Sequence, residues 1–195
     1  MHLPLTSFET SPQDNQMARL FWGQLPIERA TSLFYYEPQS EAGRLIRELK
    51  YNNHPEIGYE LGAMFANMLM PTGFFEGIDA VVPVPLANRR QRQRGYNQSM
   101  ELARGISEAT RLPVYDKVAC RTVFTQSQTR LDYRQRRENV ENVFELTDAA
   151  SATGKHLLLV DDIVTTGATC IACGKVLARA GGVRLSILSL GYAKS

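Results

Sequence analysis

The apolar run Leu157–Val160 ends directly in Asp161 and Asp162, and a hydroxyl-rich turn, Thr165-Thr166-Gly167-Ala168-Thr169, follows after two more apolar residues. An apolar run without alternation is what a strand buried on both faces of a parallel sheet requires. Parallel neighbours need crossover connections, usually helices, so this stretch points to an α/β chain. The two adjacent acids repel each other, and ordinary packing gives no reason to place them at a strand end.

The rest of the chain keeps the α/β rhythm. Residues 1–16 are polar and aperiodic and read as a loose lead-in, and 25–37 are rich in β-formers and read as a strand or hairpin. Ser40 caps an amphipathic helix carrying Leu45, Ile46 and Leu49, and Pro55 opens a second helix through Leu69. Ala80–Val84 is a short strand, Asn97–Arg111 a helix, and Val114–Tyr115, Val118–Val123 and Val143–Leu146 are short strands. Thr169–Ala180 is a helix ended by Gly181-Gly182, and Val183–Leu190 is the last strand. The expected architecture is a doubly wound, mostly parallel sheet, with 1–37 as a lead-in and small hood-like segment before a main domain at 38–195.

A chain of 195 residues can bury a sizeable core in one domain, and 44% hydrophobic with 22% charged residues is ordinary globular composition. Its apolar runs are too short to span a bilayer, its start lacks the pattern of a signal peptide, and no membrane insertion is expected. Cys120, Cys170 and Cys173 give no disulfide framework, which fits a reducing cytoplasm. The net charge of +2 is less informative than its distribution: Arg89, Arg90, Arg92 and Arg94 crowd together, as do Arg130, Arg134, Arg136 and Arg137.

Ligands of open α/β sheets sit beyond the carboxyl ends of the strands, where Asp161 and Asp162 lie. The helix that follows offers unpaired N–H groups to an anion, the threonines add hydroxyl donors, and Gly167 lets a phosphate approach the backbone. Carboxylates for hydroxyls or a metal beside a phosphate cradle together suit a sugar phosphate. The bland alternative makes the acid a turn cap and the threonines helix caps, but that accounts for one acid and one threonine only. Gly174-Lys175 is no nucleotide loop, because the glycine such a loop needs is replaced by Thr169.

Residues 157–169 resemble the phosphoribosyl-pyrophosphate (PRPP) signature of type I phosphoribosyltransferases at all thirteen positions. The resemblance implies that Asp161 and Asp162 orient the ribose hydroxyls and meet Mg2+ brought by PRPP. It implies also that Thr165, Thr166, Gly167, Ala168 and Thr169 hold the 5′-phosphate. The stretch Val81–Ser99, with Arg94-Gly95-Tyr96-Asn97-Gln98, resembles the ComF family, named from DNA-uptake competence. Gln128-Thr129, Arg136, Asn139-Val140, Phe144, Phe21-Trp22-Gly23 and Leu49-Lys50-Tyr51 extend the likeness along the chain. The resemblance places Arg89, Arg90 and Arg94 in a pyrophosphate-binding segment, since guanidinium pairs grip phosphate oxygens. It places Gln128, Arg130 and Arg136 in a loop that covers the site. Both arginine clusters also have the simpler reading of solvated helix faces.

Members of this family commonly carry an N-terminal zinc ribbon; this chain has no cysteine before Cys120, and no zinc site is expected in it. Cys170 and Cys173, one helical turn apart, are expected as small buried residues rather than metal ligands. Two functions follow from the resemblance, and the first is preferred because a net charge of +2 without an extended basic stripe speaks against the second. One is transfer of a phosphoribosyl group to an acceptor that no motif identifies. The other is a non-catalytic accessory of DNA uptake that handles single-stranded DNA, with Tyr96 and Tyr133 as stacking partners. Folds of this kind often pair, so a homodimer belongs to the expectation.

Overall fold

A computed structural model describes residues 3–122 and 143–194, except the side chains of Asn88 and Arg89. Its strands are β1 (Arg29–Tyr35), β2 (Ala80–Pro83), β3 (Ala119–Arg121), β4 (Phe144–Leu146), β5 (His156–Val164) and β6 (Arg184–Tyr192). The helices are α1 (Gln16–Arg19), α2 (Glu41–Tyr51), α3 (Pro55–Leu69), α4 (Asn88–Arg94), α5 (Gln98–Thr110), α6 (Ala149–Ala152) and α7 (Ala168–Ala178).

Four strands form a wholly parallel sheet in the order β1-β6-β5-β2, and β3 and β4 pair separately as an antiparallel ribbon. The unbroken apolar run in β5 has the role expected of it. Leu157 and Leu159 join one core cluster with α7, the β3–β4 ribbon and the N-terminal segment, while Leu158 and Val160 join another with α2, α3 and α5. Helices therefore cover both faces of the sheet, the doubly wound arrangement.

Local signals set the helix boundaries. Ser40 Oγ accepts the Gly43 N–H at 3.1 Å to start α2, and Pro55 occupies the first turn of α3. Helices α3 and α5 approach closely because small residues face each other. A β-carbon on Gly105 would lie 2.0 Å from the Tyr59 carbonyl oxygen, and one on Gly58 3.1 Å from both Leu49 Cδ1 and Glu101 Cβ.

Two expectations meet a different arrangement. Residues 29–35, expected within the lead-in and hood-like segment, form β1, the edge strand of the main sheet, paired parallel with β6. The lead-in is also not loose throughout. Phe8 is buried, and buried Asn15 caps α1 through the Met17 and Ala18 N–H groups while its Nδ2 donates to the Ala30 carbonyl at 2.8 Å. These contacts are irregularly spaced, which is why periodicity does not reveal them.

Candidate functional site

The carboxyl end of β2 lies beside the middle of β5, Pro83 opposite Val160, and β5 runs on to Val164. The acidic pair therefore sits inside the strand rather than at its end, just past β2 and next to the segment that follows it. After Val164 the chain turns through Thr165 and Thr166 into α7. Gly167 sits at its N-cap with φ of +76°, a left-handed conformation that favours glycine. No side chain caps α7, and Thr165, Thr166 and Thr169 are exposed. The threonines thus do not spend their hydroxyls on the helix end. Asp161 and the run 163–170 line a narrow cavity of about 40 Å³ at the uncapped terminus, which gathers all five residues expected to hold a phosphate beside one acid.

The two acids diverge. Asp161 Oδ1 accepts the Ser99 hydroxyl at 3.2 Å and the Asp162 backbone N–H at 2.9 Å. Ser99 is held in place by Asn97, whose Oδ1 accepts the Ser99 N–H at 3.1 Å and whose Nδ2 donates to the Val84 carbonyl at 3.0 Å. The side chain of Asp162 turns instead to α2, where the Lys50 ammonium meets its Oδ2 at 3.1 Å. Burial and the neighbouring Asp162 charge push the Asp161 carboxyl up to about 7, against the lowering effect of its hydrogen bonds and Lys50. A carboxylate held in this state gains when a hydroxyl or a cation joins it.

The arginine cluster after β2 is a short helix, α4, rather than an irregular loop. Arg90, Arg92 and Arg94 line a cavity of about 680 Å³ together with Lys50, Tyr51 and Asn53, so two of the three expected pyrophosphate ligands converge there. Arg89 shares the helix, but its side chain lies outside the described residues. The expected covering residues Gln128, Arg130 and Arg136 also lie outside them, as does Tyr133.

Tyr96, expected as a stacking residue, is half-buried, and its hydroxyl donates to the Leu49 carbonyl. The exposed ring is Tyr51, with the Arg94 guanidinium 5.2 Å from its centroid. Cys170 and Cys173 are buried against the sheet, as their spacing suggests. Burial pushes both thiols up, Cys173 to about 12, away from the thiolate form that binds metals.

Four participants were not singled out as site residues from sequence: Lys50, Ser99, Arg92 and Arg121. Arg121, on β3, stacks on Phe144 at 5.3 Å and lines a cavity of about 280 Å³ under Pro83 and Pro85. Burial and the nearby Arg90 charge lower its affinity for a proton, while Asp161 opposes them, so it belongs to the same field as the acids. Gln98, buried beside Ser99, has an amide nitrogen without a hydrogen-bond partner among the described residues. The only sequence signal for these positions is their neighbourhood: Lys50 and Ser99 within stretches that resemble the family, Arg92 and Arg121 beside expected loops.

Comparison with known proteins matches this geometry to a family and a fold. The chain matches no protein-family model. It is 30% identical over 168 residues to the DNA utilization protein YhgH of Escherichia coli O157:H7, covering 85% of this chain and 72% of that protein. It is 33% identical over 116 residues to competence protein F of Haemophilus influenzae, covering 59% of this chain and 51% of that one. With competence protein ComFC of Bacillus subtilis it shares 30% identity over 101 residues, 52% of this chain and 39% of that one. Among solved structures, a glutamine PRPP amidotransferase from B. subtilis complexed with ADP and GMP aligns with a TM-score of 0.50 and 21% identity. That alignment covers 72% of this chain but only 30% of the enzyme, and it shows a shared type I phosphoribosyltransferase-like fold.

Proposed function

The chain belongs to the ComF family, and on that premise we propose that it binds PRPP with Mg2+ at the ends of β2 and β5, in the service of DNA uptake or use. The observation that carries this reading is the uncapped α7 terminus with exposed Thr165, Thr166 and Thr169 beside the destabilised Asp161 carboxyl. The 5′-phosphate takes the N–H groups and hydroxyls of residues 165–169, and the ribose hydroxyls take Asp161 and Asp162. The anomeric substituent extends towards Arg90, Arg94 and Arg121.

The residues fit magnesium in one particular way. Two adjacent carboxylates are hard oxygen donors, yet no group of three or more His, Cys, Asp or Glu gathers as a metal site among the described residues. Mg2+ would therefore be held by Asp161 and Asp162 jointly with ligand oxygens, as is usual for this ion. When bound, it offsets the charge of the diphosphate. In a transfer reaction the acids hold the ribose as positive charge develops at its anomeric carbon, and the arginines stabilise the departing pyrophosphate. No helix among the described residues is long and apolar enough to cross a membrane.

Calorimetric titration with PRPP and Mg2+ tests the reading. Wild type should bind, and the Asp161→Asn/Asp162→Asn double variant should lose on the order of a hundredfold in affinity. A wild type that gives no binding heat at any practical concentration removes the proposal. Where binding occurs, pyrophosphate release across a panel of nucleobases and amines reveals any acceptor.

One observation favours a second reading. Exposed Tyr51 beside Arg94, in a cavity with Arg90 and Arg92, joins an aromatic face to a cationic groove, the pairing that single-stranded nucleic acid uses. Titration with single-stranded DNA at two salt concentrations tests it; an affinity indifferent to salt rules out backbone contacts.

A further inference from the structure

Lys50 stands between the two halves of the site. It lies in the last turn of α2, its ammonium 3.1 Å from Asp162 Oδ2, with the two side chains only 20% and 14% exposed. The same residue lines the cavity formed with Arg90, Arg92 and Arg94. The other acid has different partners, the Ser99 hydroxyl and a backbone N–H. One carboxylate is therefore held by neutral donors and the other by a cation.

A buried ammonium released from its carboxylate is costly unless it meets another anion. Lysine has the means to change partners, because its charge is compact and its stem flexible. Resting on the phosphoribosyl reading above, we propose that Lys50 is a specificity-determining residue whose ammonium passes from Asp162 to an anionic group on the anomeric side of the ligand. The residue then tests for that group. A ligand that brings an anion to the cavity gives Lys50 a new partner as the ribose hydroxyls take Asp162. A ligand with a plain hydroxyl at the anomeric carbon either leaves Lys50 in place, blocking Asp162, or strands its charge.

The test compares PRPP with ribose 5-phosphate, both with Mg2+, by calorimetry on wild type, Lys50→Met and Lys50→Arg, after circular dichroism has verified folding. The preference of wild type for PRPP should fall about tenfold or more in Lys50→Met and be largely kept in Lys50→Arg. Lys50→Gln, which keeps a polar group facing Asp162, replaces Lys50→Met if that variant unfolds. An unchanged PRPP preference in a folded Lys50→Met or Lys50→Gln protein overturns the proposal while leaving the phosphoribosyl reading intact. A wild type that binds neither ligand overturns both.

Discussion

The two ends of β5 each bury a titratable side chain beside a lysine–aspartate pair, and they are built to opposite ends. At the amino end, His156 is almost fully enclosed, its Nδ1 3.1 Å from the Gly77 carbonyl and its Nε2 2.9 Å from the Ser186 hydroxyl. Its backbone N–H donates to Asp79 at 2.8 Å, and the local ion pair, Lys155–Asp79, is long at 3.8 Å and exposed. Towards the carboxyl end Asp161 sits beside a like charge, and the local ion pair, Lys50–Asp162, is short and enclosed. One end has its polar groups matched within the fold; the other keeps charge that the fold itself does not fully compensate. Incomplete compensation around Asp161 is the physical mark expected of the proposed binding site, whereas a buried histidine by itself is not.

Substitutions can break this contrast in both directions. The largest effect is expected at His156: His156→Ala leaves a cavity and two unmatched partners and should cost about 3 kcal/mol in denaturant unfolding. Asp161→Asn should act the other way, raising stability at pH 8 by on the order of 2 kcal/mol even as it weakens ligand binding. If it destabilises the protein instead, Asp161 is a structural residue like His156.

The pH dependence has opposite signs at the two ends. Burial, followed by the charges of Arg184 and Arg29, lowers the His156 pKa, so its stabilising contribution is full above its ordinary value of 6.5 and is lost as pH falls. Asp161, raised from 3.8 to about 7, contributes fully below its unfolded value and loses that contribution as pH climbs through about 7. Unfolding curves should therefore show the Asp161→Asn gain at pH 8 and its disappearance near pH 4. In His156→Ala the acid-side loss below pH 6.5 should be reduced. The smallest effect belongs to the exposed pair: Lys155→Ala should shift stability by less than about 0.5 kcal/mol. A larger change would mean that this pair supports the His156 end.

How much of this is legible in the sequence depends on distance along the chain. The apolar start of β5, the turn into α7 and the buried Cys170 and Cys173 follow from local patterning, because apolar runs, caps and helical spacing act over a few residues. The extension of β5 past both acids to Val164 depends instead on its pairing with β6. The helical form of Arg90–Arg94 is not fixed by its charges, which suit a loop or a solvated helix equally. Tyr96 is expected as a stacking residue and Tyr51 is not, yet Tyr96 is half-buried with its hydroxyl on the Leu49 carbonyl while Tyr51 is exposed. Lys50 reaches Asp162, and Ser99 reaches Asp161, through the packing of α2 and α5 on the sheet. No period in the sequence encodes such meetings. The buried Phe8 and Asn15 escaped for the same reason.

The bare α-carbon of Gly58 has a consequence for the acids. It is wedged between Leu49, the neighbour of Lys50, and Glu101, two residues beyond Ser99. The partners of Asp161 and Asp162 thus reach the strand from two helices whose spacing is gauged at one point. A methyl group placed there would press on Leu49 and Glu101 like a shim, and so on the supports of both carboxylates at once without touching any ligand.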